Sequence, residues 1–144
     1  MQQRPPDPIE LATTSLARGD RTRRELDERL ERAGIGVDQR EAALETLERI
    51  GYVDDGRVAV SRAEALAARG KGDEAIRFDL EQRGLAPEHV EAALAALQPE
   101  LERARELAGR LGPTPKTLLQ LRRKGFGADS LESAFGDVIA GNDV

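Results

Sequence analysis

An all-α fold, laid out as an elongated array of three tandem three-helix units of helix-turn-helix type, is what this sequence predicts. Three observations carry that expectation. The 144-residue chain is rich in Ala, Leu, Glu and Arg, with 3% aromatic and 34% charged residues, a mix that favours helices over a thick globular core. The stretches LERAGIGVDQREAALETL and LEQRGLAPEHVEAALAAL, starting at Leu30 and Leu80, spell the same pattern without a gap. A third copy emerges when Gly84 is laid over Gly125: Leu80 meets Leu121, Leu85 meets Phe126, Leu94 meets Phe135 and Leu97 meets Val138. The positions retained are the apolar ones and the glycine, which is what a repeated packing unit keeps.

Each element follows from local signals. Asp7, Pro8 and Glu10 supply a cap, an N1 proline and a capping-box partner for a first helix over Ile9–Arg18. A second helix opens RTRRELDERLERAG and ends at Gly34; a third runs through Arg40–Ile50. The same triplet recurs, with leading helices over Asp55–Arg69 and Pro99–Leu111, and further starts marked by Pro87 and Thr114–Pro115. Gly34, Gly84 and Gly125 each sit just past a helix, where a left-handed residue satisfies the last carbonyls. The apolar residue after each (Ile35, Leu85, Phe126) is expected to fold back onto the helix it terminates. Val90, Ala93, Leu94 and Leu97, then Leu131, Ala134, Phe135 and Val138, form stripes of helical period. The organisation expected is an arm over residues 1–8 and units over 9–52, 53–98 and 99–141. Because one such unit buries little apolar surface, neighbouring units are expected to share apolar seams.

Charge is uneven. It cancels from Met1 to Val37, sums to −7 from Asp38 to Glu102, to +6 from Arg103 to Lys124 and to −4 thereafter, for a net −5. A globally acidic chain is a poor general polyanion binder, although the Arg103–Lys124 stretch can meet an acidic surface. With no cysteine there is no disulfide, thiol nucleophile or cysteine-ligated metal. The single histidine, His89, reads as a surface residue. No apolar run approaches the roughly 20 residues that cross a bilayer, and MQQRPPDP does not read as a secretory signal. No phosphate-cradling glycine loop, Ser/His/Asp arrangement or singled-out carboxylate pair is present. These readings point to a cytoplasmic, monomeric protein without cofactor, metal or catalytic residues.

The string GYVDDGRVAVSRAEALAARGKG, from Gly51 to Gly72, followed by IRFDLEQRGL and LRRKGF, resembles the RecX regulatory protein family. Its most specific part is Tyr52, Asp54, Asp55, Arg57, Ala59, Arg69, Gly70 and Gly72 at fixed spacing. The resemblance implies tandem three-helix repeats that bind the RecA recombinase filament on DNA. It also implies restraint of RecA's ATPase, strand-exchange and coprotease activities, in recombination and SOS repair, by a protein that is not an enzyme. Against the family's pattern, Val58 replaces an aromatic, Val60, Glu64 and Leu66 stand where basic residues are common, and Lys71 stands between the two glycines. Those departures imply weak or indirect contact with nucleic acid.

Candidate partner-binding residues are cations: Arg21, Arg24, Arg57, Arg69, Lys71, Lys116, Arg122, Arg123 and Lys124, with Arg103 and Arg105 in support. Each has a plainer structural reading. Asp54 and Asp55 cap a helix, and Arg57, three residues on from Asp54, pairs with it. Arg21, Arg23 and Arg24 are balanced by Glu25, Asp27, Glu28 and Glu31 on a solvated face. Arg122, Arg123 and Lys124 favour the negative end of their helix. Two further functional readings remain open: a direct DNA-binding helix-turn-helix module, and a diverged repeat adaptor for another protein. The Ala- and Glu-rich character of Arg40–Ile50 and Glu88–Leu97 weighs against major-groove readout.

Overall fold

In the computed structural model, which describes residues 6–136, the described residues form nine α-helices. They are α1 (Pro8–Ala17), α2 (Arg23–Arg32), α3 (Val37–Arg49), α4 (Asp55–Ala68), α5 (Asp73–Gln82), α6 (Pro87–Ala95), α7 (Glu100–Leu111), α8 (Pro115–Arg123) and α9 (Ala128–Ala134). Residues 1–5 of the expected arm, and Val138 with the rest of 137–144, lie outside the described residues.

Local chemistry sets the ends. Asp7 accepts the Ile9 N–H at 3.0 Å and caps α1. Its expected Glu10 partner makes no such bond; the reciprocal capping box forms instead at α2, between Thr22 and Glu25. Proline opens α6 and α8 at the first helical position. The second helix of each unit ends alike: Ile35, Leu85 and Phe126 donate their N–H back to Leu30, Leu80 and Leu121, across glycines with φ of 85°, 83° and 96°. That geometry turns the three apolar side chains inward, and all are buried.

The principal helix contacts all fall within α1–α3, α4–α6 or α7–α9. Each triplet owns a core. The first gathers Ala12, Leu26, Leu30, Ile35, Leu44 and Leu47. The second gathers Ala59, Ala63, Leu66, Ile76, Leu80, Leu85 and Leu94. The third gathers Ala104, Ala108, Leu121, Phe126, Leu131 and Phe135. Leu44, Leu94 and Phe135 therefore occupy equivalent buried places. A fully buried leucine contributes about 2 kcal/mol, so each unit holds itself by a handful of such residues.

The apolar seams expected between units are absent from the described residues, and the joints are polar. At the first joint, Thr22 Oγ1 donates to the Arg83 carbonyl at 2.7 Å, and the Arg23 N–H donates to Asp55 at 2.8 Å. Glu25 faces Arg83 at 3.8 Å. At the second, the Gly72 N–H donates to the Lys124 carbonyl at 2.9 Å, the Glu74 N–H to the Gly125 carbonyl at 3.2 Å, and the Asp73 N–H to Glu100 at 2.7 Å. Both joints are one device: the N-terminus of a unit's second helix docks on the glycine turn ending the next unit's second helix. In each, an acidic first residue of the following helix (Asp55 or Glu100) takes an orphan amide. Backbone amides must be satisfied once buried, so a polar joint specifies geometry more tightly than an apolar seam would. No hydrogen bond or ion pair joins the first triplet to the third among the described residues.

Candidate partner-binding surface

The outer face of α8 carries the strongest candidate. Thr114 caps the helix by accepting the Thr117 N–H at 3.2 Å, and Thr117 and Leu121 turn inward. That orientation leaves Lys116, Leu119, Arg122 and Arg123 on the solvent side at helical spacing. None of the three cations takes part in an ion pair among the described residues. Leu119 is 47% exposed in their midst. Charges that neighbour an exposed apolar side chain, with no internal partner, suit an acidic surface that also offers an apolar contact.

Lys124 leaves this group. Its carbonyl receives the Gly72 N–H and its Nζ reaches the Arg69 carbonyl at 3.4 Å, so it belongs to the joint. The structure thus brings Arg69, Gly70, Lys71 and Lys124 together where the second and third units meet. Gly72 explains itself there. Its φ of −85° is open to any residue, but a Cβ would come within 2.3 Å of the Phe126 nitrogen. Close approach, and not the backbone angle, demands glycine at this motif position.

The remaining candidates are dispersed. Arg24 pairs with Glu28 at 3.1 Å and lies over Gly84 at the first joint. Arg21 reaches the Asp20 carbonyl at 3.0 Å beside a groove between α1 and α2. Arg57 is exposed, and its guanidinium donates to the Gly51 carbonyl at 3.2 Å, not to Asp54 as its spacing predicts. The Asp54 carboxylate takes the Arg57 backbone N–H instead, at 3.0 Å, as a helix cap. Asp55 caps α2 across the joint rather than its own helix. Tyr52, 56% exposed, lines a shallow groove with Arg57, Leu16 and Asp20. His89 is half-buried against Gly56.

Arg103, expected in support of the contact residues, lies at the second joint. It is 8% exposed and donates to the carbonyls of Gln98 and Lys71, both at 2.9 Å, and to the Asp73 carboxylate. Its guanidinium lies 5.8 Å above the Phe126 ring, where the ring face attracts a cation. Burial raises the Asp73 carboxyl above its ordinary value, with Arg103 opposing and Glu100 adding to the rise. Glu100 itself bridges, accepting from Asp73 N–H and, at 3.0 Å, from Gly127 N–H. Of the positions expected to have lost a basic contact, Leu66 is buried in the second core and Val60 packs against it. Leu66 is thereby taken from the surface, while Val60 is half-buried and Glu64 is exposed.

Two exposed apolar residues had no sequence signal of their own. Phe78 on α5, 64% exposed, lies 41 positions before Leu119, the offset that relates Gly84 to Gly125. The same face of the second and third units thus presents a large apolar side chain, flanked on α5 by exposed Glu74 and Glu81 and on α8 by cations. Among the described residues no group of three or more His, Cys, Asp or Glu side chains is arranged to hold a metal, and no helix is long and apolar enough to cross a membrane.

Comparison with known proteins agrees with the repeat architecture. Residues 54–94 match the family description "RecX, second three-helix domain". The regulatory protein RecX of Xanthomonas axonopodis pv. citri (strain 306) is 35% identical over 137 residues, covering 88% of this chain and 85% of that one. RecX of Stenotrophomonas maltophilia (strain R551-3) is 33% identical over 137 residues, with 88% and 84% covered. Among solved structures, the crystal structure of RecX from Lactobacillus salivarius superposes with a TM-score of 0.79 at 21% identity, over 92% of this chain and 95% of that one. At that identity the likeness speaks for the fold.

Proposed function

From the premise that the chain belongs to the RecX family of regulatory proteins, we propose that it is a non-enzymatic cytoplasmic regulator that binds the RecA filament as a monomer. On DNA, it restrains the ATPase, strand-exchange and coprotease activities. The observation that carries the reading is the α8 face: Lys116, Arg122 and Arg123, without internal partners among the described residues, surround an exposed Leu119. Separate units in series would contact successive RecA protomers, and modest contacts in series add as avidity. Bridging protomers biases their relative orientation, and a bound array narrows the access of a second DNA.

The test is RecA ATPase on single-stranded DNA with this protein titrated in, together with co-sedimentation. Inhibition is expected, weakened about tenfold or more by Lys116→Glu with Arg122→Glu and Arg123→Glu, since like charges then oppose the contact. Full inhibition by that triple variant removes the α8 face from the account. Absence of both inhibition and co-sedimentation removes the RecA reading. Tight, steeply salt-dependent binding of DNA alone would favour a direct DNA-binding module.

A further inference from the structure

We propose that the groove between α1 and α2 of the first unit docks a short acidic peptide segment of a protein partner, independently of the α8 face. Arg18 and Arg21 stand at the α1 end of this groove, and Arg29 and Arg32 line its α2 side. Arg18, Arg29 and Arg32 are exposed and form no ion pair among the described residues, while Arg21 reaches only a backbone carbonyl. The two carboxylates in the lining are already engaged. Glu25 accepts the Thr22 N–H at 2.9 Å and faces Arg83; Glu28 is paired with Arg24. The field left over is positive.

The second unit shows what is unusual here. Counting back from the helix-ending Arg18 and Arg69, Leu11 takes the place of Arg62; counting back from Gly34 and Gly84, Arg29 takes the place of Asp79. In the second unit those positions close on each other, with two hydrogen bonds of 2.9 and 3.0 Å from Arg62 to Asp79. In the first unit a leucine and an arginine stand there instead, and both line the groove. The internal pair is gone, its acid has become a cation, and the cleft is left asking for carboxylates from elsewhere.

A peptide suits this lining better than a nucleic-acid backbone. Guanidinium forks match carboxylates in two-pronged fashion, the mode by which arginine clusters read acidic motifs. Leu11 offers an apolar spot and the Ser15 hydroxyl beside it a hydrogen-bond donor along the α1 wall, while the Thr14 hydroxyl is spent on the Glu10 carbonyl at 2.9 Å. No aromatic ring lines the groove on which a base could stack. A net charge of −5 also works against a long polyanion while leaving a short local contact intact.

Fluorescence anisotropy with three labelled probes tests this on the full chain: a short Asp/Glu peptide carrying one leucine, its Asn/Gln counterpart, and an oligothymidylate of matched charge. The acidic peptide should bind at low salt and the amide peptide about tenfold more weakly or worse, because the charge contacts are lost. Arg29→Glu with Arg32→Glu should reduce acidic-peptide affinity by a similar factor. Arg29→Gln with Arg32→Gln, which removes charge without reversing it, should reduce it less, and Arg122→Glu with Arg123→Glu should leave it unchanged. Peptide binding indifferent to the α2 substitutions, or no binding of the acidic peptide by the wild-type chain, overturns the proposal. So does tighter binding of the oligothymidylate that the α2 substitutions abolish, since the groove would then be a phosphate site.

Discussion

The two joints of the array share a design and differ in stiffness. At the second joint, backbone meets backbone: the Gly72 and Glu74 amides donate to the carbonyls of Lys124 and Gly125. A Cβ on Gly125 would come within 2.7 Å of the Ala75 nitrogen. Arg103 then threads the joint, tying Lys71, Asp73 and Gln98 together. At the first joint the same contacts pass through side chains. Thr22 supplies its hydroxyl, Asp55 its carboxylate, and the atoms crowding Gly84 are Cβ, Cδ and Nε of the Arg24 side chain, with no main-chain atom among them. Side chains can rearrange where main chain cannot. Each unit keeps its own core, but the second joint, with main chain on both sides, is expected to hold Phe78 and Leu119 in a tighter register than the first joint holds the first unit.

Substitutions can break this contrast, beginning at the stiff joint. Arg103→Ala removes the hydrogen bonds of a buried guanidinium to the Gln98 and Lys71 carbonyls and to the half-buried Asp73 carboxylate, and should cost about 3 kcal/mol, roughly 1 kcal/mol for each bond lost. A drop in the thermal midpoint of the full chain reads it out. Gly125→Ala should cost about 2–3 kcal/mol, since a left-handed alanine is strained and the Ala75 backbone leaves no room. Gly34→Ala, at the corresponding turn with nothing within 4 Å, should cost only the backbone strain, about 1 kcal/mol. Equal losses at the two glycines would mean that the close approach at Gly125 carries no energy. At the looser joint, Asp55→Ala removes one helix cap and should cost about 1 kcal/mol, with little effect on the third unit.

The smallest expected effect sharpens the contrast between the first and second units. Hydrogen bonds from Arg62, chiefly, hold the Asp79 carboxyl below its ordinary value. A depressed folded-state value means that the pair stabilises the fold above the unfolded carboxyl range and loses that contribution as pH falls through the folded value. Arg62→Gln should therefore lower the denaturation midpoint at neutral pH and converge with the parent in strong acid. The full loss at neutral pH is expected to be about 0.5 kcal/mol, because the pair is partly solvent-screened. A constant difference across the acid range would show that Asp79 does not titrate against Arg62.

How much of this was legible in the sequence follows the range of each interaction. The glycine turns at Gly34, Gly84 and Gly125 and the inward Ile35, Leu85 and Phe126 were readable because sterics and helix-end hydrogen bonding act within a few residues. Equivalence of Leu44, Leu94 and Phe135 was readable because periodicity encodes it. The joints were not, since their acceptors are largely main-chain carbonyls far away in sequence, and the glycine, threonine and carboxylates that meet them read equally well as local turns and caps. Small buried area argued for apolar seams, and the structure satisfies amides instead. Arg103 looked like one of a run of cations because its carbonyl partners, Gln98 and Lys71, are invisible as residue types. The contact of Lys124 with the Arg69 carbonyl was hidden for the same reason. Exposure of Phe78 and Leu119 became visible only once Leu80 and Leu121 were seen to fill the cores.

Hydrogen exchange of the Arg103→Ala chain, followed by mass spectrometry with residue-level fragmentation, tests the separateness of the units most directly. The account predicts faster exchange at the joint amides of Gly72, Asp73, Glu74 and Gly127, while amides inside α8, around Leu121, keep the protection of the parent chain. Uniform loss of protection through α7, α8 and α9 would contradict it, because the third unit would then have no core of its own.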